Sequence, residues 1–138
     1  MPVSELGPGS YPFTDRVYEF DSIGSFPDTC CFIQAPNNDK DTPPDSVQWT
    51  LDVPFDSTVY LDFWGQQNHL DKVSAWSGSW TVDHDVVATI FDRGIWGPGI
   101  IIKQNFDAGT INLMGNNGDG HGTYYAFVCP QGKKSHTL

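Results

Sequence analysis

The chain has 138 residues, enough to enclose one hydrophobic core without obligatory staples. Its formal net charge of −10 disfavours polyanionic partners such as nucleic acid and acidic membrane surfaces. No stretch nears the roughly eighteen apolar residues that span a bilayer, and fourteen glycines with ten prolines argue against long helices.

Residues 1–10, MPVSELGPGS, are rich in Pro, Gly and Ser and read as a flexible lead-in. They have neither the apolar run nor the basic start of a signal peptide. Alternation predicts a first strand over residues 16–20. Between Asp21 and Pro44 a long loop is punctuated by Gly24, Pro27, Pro36 and the TPP triplet, with one extended piece over residues 30–34. A loop that long points to function rather than connection alone. The most regular stretch follows, DSVQWTLDVPFDSTVYLDFWGQQ, which predicts a hairpin turning at PFDS. In its second half Val59, Leu61 and Phe63 take one face, and Tyr60, Asp62 and Trp64 the other. That second face is either buried as well or an aromatic platform for a ligand.

Further strands are predicted near residues 72–76 and 86–91, then over 100–106 and 109–116, joined through DAG. A final strand runs over 123–129. GIWGPG around Trp96 and NNGDGHG are the intervening loops, and residues 131–138 form a polar tail. This spacing of strands and turns defines an all-β antiparallel protein, a β-sandwich or barrel with few or no helices, whose single domain covers residues 11–130.

Three cysteines leave two arrangements open. In an oxidising compartment Cys129 bridges Cys30 or Cys31; in a reducing one all three are free thiols. On a strand His69 and Asp71 would share a face, whereas Asp83, His84 and Asp85 would alternate and fail to converge on one ion. No GxSxG, HExxH or P-loop motif completes an active site, so these histidines read as solvated surface residues.

SVQWTLDVPFDSTVYLDFWG, followed later by FDAGTINLMGNNGDGHGTYYAFV, resembles the signature of carbohydrate-binding modules of the family 6/35/36 type. The resemblance covers residues 47–128 and implies a jelly-roll sandwich of the galactose-binding-domain-like kind. It implies a non-catalytic, lectin-like activity with carbohydrate as partner, in a secreted or extracellular protein, and a cytoplasmic location stays open. Trp96 stands where the family places its stacking aromatic. Asn116, Asn117, Asp119 and His121 lie where hydrogen-bonding groups are expected. Tyr60, Asp62 and Trp64 on the sheet, and Trp76 with Trp80 around a Ser-Gly-Ser turn, are further candidate contacts. The family's structural calcium has its nearest match at Glu19, but TYYAFV lacks the usual Asp, and one carboxylate falls short of the six to eight oxygens that calcium takes.

Two other readings compete. A small barrel enzyme (a cyclase, isomerase or glycan-active protein) would line a pocket with the aromatic surplus. A protein-interaction module would present the same aromatics on its loops. Weak single sugar sites favour oligomeric, multivalent assembly.

Overall fold

The computed structural model describes residues 3–5, 20–22, 30–33, 36–64, 66–84, 89–90, 99–118 and 123–131. Its strands are β1 (Val3–Glu5), β2 (Phe20–Ser22), β3 (Cys31–Ile33), β4 (Val47–Val53), β5 (Ser57–Phe63), β6 (Thr81–Asp83), β7 (Thr89–Ile90), β8 (Ile100–Phe106), β9 (Gly109–Met114) and β10 (Tyr125–Pro130). Two short helices, α1 (Gln66–Asp71) and α2 (Ser74–Ser77), interrupt them. The large sheet runs β1-β3-β10-β5-β8-β6, β4 pairs with β9, β2 pairs with β7, and all pairings are antiparallel. This is an all-β antiparallel sandwich, and the described strands close no barrel.

The expected hairpin is not one. β4 pairs with β9 while β5 lies between β10 and β8, so PFDS carries the chain from one layer to the other. β8 and β9 part in the same way. Both passages β3-β4-β5 and β8-β9-β10 therefore alternate between layers, in jelly-roll fashion. The cause is the apolar faces. Trp49, Leu51 and Val53 on β4 and Val59, Leu61 and Phe63 on β5 would share one uncovered face as hairpin neighbours. Set in opposite layers they cover each other, joined by Ile111 and Leu113 from β9 and by Ile102, Ala126 and Val128 from the large sheet.

Residues 72–76, expected as a strand, instead leave α1 and enter α2. Leu70, Val73 and Trp76 recur at intervals of three, and all pack on the core, with Val73 fully buried. Backbone bonds from Val73 N to Leu70 O and from Trp76 N to Val73 O follow the same period. The helical spacing thus overrides a short alternation. Two strands were not anticipated: β6, and β1 inside the stretch read as a lead-in, which pairs with β3. Of the strands expected over 16–20 and 86–91, only residue 20 and residues 89–90 fall among those described.

A disulfide joins Cys30 to Cys129, and Cys31 stays a free, half-buried thiol. Strand parity decides between the two neighbours. Cys31 lies opposite Val128, whose side chain belongs to the inter-layer core. Cys30 and Cys129, each one residue away, take the other face of the sheet.

Candidate functional site

The outer face of the large sheet can be assembled from register alone. Tyr60 lies opposite Lys103 on β8 and Phe127 on β10, and Lys103 lies opposite Thr81 on β6. Two residues along, Thr58 faces Asn105 and Cys129; two residues the other way, Asp62 faces Ile101 and Tyr125. All these side chains share one face, but their exposure changes along it. Asp62, Ile101, Tyr125 and Phe127 are buried, whereas Tyr60, Thr58 and Lys103 are half-buried and Thr81 and Asn105 are exposed.

The open end forms a polar groove of about 260 Å³ lined by Thr58, Tyr60, Ser79, Thr81, Lys103, Gln104 and Asn105. The Thr58 hydroxyl donates to Asn105 Oδ1 at 2.7 Å, which orients the amide and leaves its NH₂ edge without a partner among the described residues. Lys103 Nζ sits 3.0 Å from Asp83 Oδ2, which holds its long side chain beside Tyr60. A half-exposed phenol ring flanked by hydroxyl, amide and ammonium groups offers both an apolar plane and directional donors.

The closed end answers the question of the second face. Trp64 is buried, stacks on Tyr125 at 6.1 Å and donates its indole N–H to the Thr123 carbonyl. Asp62 is 1% exposed, and neither carboxyl oxygen meets a hydrogen-bond donor among the described residues. Burial holds its carboxyl well above the usual carboxylate range. Gly99 packs directly against it: a Cβ there would lie 1.9 Å from Asp62 Oδ1. Of the three candidates on this face, only Tyr60 reaches solvent well enough to touch a ligand. At Asp62 and Trp64 the sheet is buried on both sides.

At the end of the sandwich the early loop folds onto the β9–β10 connection. Gly115 N donates to Ser46 O, Asn117 N to Thr42 O and Gly118 N to Lys40 O. Asn116 is driven inside by this closure. Fully buried, it accepts the Tyr124 amide and pairs with His69 Nε2 through Oδ1, while its own N–H reaches Gln48 Oε1. Its amide is therefore engaged in the core rather than offered to a ligand. His69, expected at the surface, is likewise buried, edge-on to Phe63, and Asp71 is exposed on the same short helix, so the two do not converge. Asn117 stays exposed but adopts a left-handed φ of 64° and ties its NH₂ to the Lys72 carbonyl. Asn116→Ala is expected to lower the unfolding free energy by about 1–3 kcal/mol, because a buried N–H loses its acceptor; urea denaturation measures it.

Trp76 and Trp80 meet edge-on and pack on the core, Trp76 donating to the Gly115 carbonyl and Trp80 lying against Phe106. Both stay half-buried, packed on the core with part of each side chain still exposed. Trp96, Asp119, His121 and Glu19 lie outside the described residues, and among those described no three His, Cys, Asp or Glu side chains gather as a metal would require. No described helix is long and apolar enough to cross a membrane. Thr58, Thr81, Lys103 and Asn105 were not singled out from sequence. Alternation marks them as outward-facing, but only the β5-β8-β6 register brings them together.

No family model matches the chain and no curated protein matches it. Among solved structures, a β-glucuronidase from glycoside hydrolase family 2 contains a portion that superposes on 94% of this chain, with a TM-score of 0.68 and 14% identity. The chain spans 13% of the length of that enzyme. The likeness establishes the sandwich fold. What this shows is an all-β sandwich shared with part of a carbohydrate-active enzyme; no family model carries the sequence resemblance to the family 6/35/36 modules further.

Proposed function

We propose that this chain is a non-catalytic carbohydrate-binding sandwich, and that a sugar lies in the groove beside Tyr60. The observation that carries the reading is the half-exposed Tyr60 ring set among the hydroxyls of Thr58, Ser79 and Thr81, the Asn105 amide and the Lys103 ammonium. A pyranose presents an apolar C–H face, suited to the ring, and a rim of hydroxyls, suited to the surrounding groups. The neighbouring structure, a glycoside hydrolase, supports a carbohydrate setting for the same fold. The Cys30–Cys129 disulfide supports an oxidising, extracellular one.

Affinity electrophoresis in gels cast with soluble polysaccharides tests this. The native chain is expected to be retarded by at least one of them, and Tyr60→Ala to weaken binding about tenfold, since losing one aromatic contact is worth of order 1 kcal/mol beyond its area. Retardation that survives Tyr60→Ala but not Trp96→Ala would move the site to the loops. Absence of retardation by every neutral and acidic polysaccharide would sink the reading.

A further inference from the structure

The inner side of the large sheet carries a second concavity, unrelated to Tyr60. Where the chain crosses from β4 to β5, a half-open cleft of about 400 Å³ lies between the layers. Ile33, Leu51, Val53 and Val128 form its walls together with the Cys31 thiol, and Pro54 and Phe55 form its lip. Phe55 is 37% exposed there, a large apolar ring held in solvent at the mouth.

We propose that this cleft is a second binding site, taking a small neutral molecule with an apolar body. Its volume falls in the range of small-molecule pockets, about 300–1,000 Å³, and its lining combines the aliphatic Ile33, Leu51, Val53 and Val128 with the polar Thr50 and Asp52. Among the described residues no Lys, Arg or His lines it, so an anionic ligand would meet no counter-charge from them. Asp52 at the rim and the net charge of −10 oppose an anion further. The Cys31 sulfur lies 3.6 Å from the Val128 carbonyl, its best acceptor, and burial pushes the thiol up, so it stays protonated at neutral pH. It serves as a soft, polarisable wall rather than a nucleophile, and the ligand is held without a covalent bond. Tyr60 points to the opposite face of the same sheet, so this site stands or falls independently of the sugar groove.

The test uses the intact, disulfide-bonded chain and two fluorescent probes of one shape. These are N-phenyl-1-naphthylamine, which is neutral, and its sulfonated counterpart 1-anilinonaphthalene-8-sulfonate. The neutral probe is expected to bind saturably, one per chain, about tenfold more tightly than the sulfonate, as the like charge of the protein dictates. Bound neutral probe is expected to slow alkylation of Cys31 by iodoacetamide in proportion to occupancy, and Cys31→Phe, which fills the cleft, to abolish binding. Should that variant fail to fold, protection of the native thiol decides the matter alone. Saturable binding that leaves the Cys31 alkylation rate unchanged, equal affinity for the sulfonate, or no saturable binding of the neutral probe each overturns the proposal.

Discussion

Replacing Cys30 and Cys129 together by alanine is expected to lower the unfolding free energy by about 2–5 kcal/mol, enough to threaten folding at body temperature. The bridge spans a sequence separation of 99 residues, so it ties β3 and β10 together across nearly the whole described chain. Cross-linking over that distance removes a large share of the unfolded chain's freedom, and in the chain-entropy picture the gain grows slowly with loop length. The native side of the balance changes little, because β3 and β10 remain hydrogen-bonded through Phe32–Phe127 and Cys31–Val128. Thermal unfolding of the variant and of the reduced native chain should show the same fall in midpoint. Cys31→Ala leaves the bridge intact and should leave the midpoint within a few degrees of the native one, since it deletes only a half-buried thiol. A larger fall for Cys31→Ala than for the double variant would mean that the pairing is wrong.

Which cysteine pairs illustrates what a sequence holds and what it withholds. Adjacent residues on a strand take opposite faces, so one of Cys30 and Cys31 had to point away from Cys129. Choosing between them needs the β3–β10 register, which is a long-range fact. The VYLDFWG face follows the same pattern. Alternation places Tyr60, Asp62 and Trp64 together, yet their exposure depends on neighbours such as Gly99 and Tyr125, far along the chain. PFDS reads correctly as a reversal, but turn chemistry does not say whether the two strands stay in one sheet. At residues 72–76 a five-residue window holds both periods, and packing of Val73 and Trp76 on the core selects the helical one. Asn116 was the least legible. An asparagine inside a Gly/Asn-rich run looks exposed until the 36–46 segment closes over it through the Ser46 and Thr42 carbonyls.

Asp62 should make this protein lose stability as pH rises, the reverse of ordinary acid denaturation. Below its ordinary value near 3.8 the carboxyl is protonated in both the folded and the unfolded chain, so it contributes no pH dependence. Above that value the unfolded chain releases the proton while the folded one, with the carboxyl buried and without a donor among the described residues, retains it. The native state then binds more protons than the unfolded state, and the unfolding free energy falls by about 1.4 kcal/mol per pH unit until the folded carboxyl also ionises. Other carboxylates superimpose their own slopes, so the variant matters more than the profile. Asp62→Asn keeps the planar shape that fits beside Gly99 and cannot ionise. Urea midpoints of the two proteins, compared as the pH is raised from about 4, should diverge until the folded carboxyl ionises, the variant gaining relative stability over that window. Parallel profiles would mean that Asp62 finds a partner when charged. Divergence in the opposite sense would mean that a cation is held against it, and the buried row between Trp64 and Tyr125 would then be a binding site rather than packing.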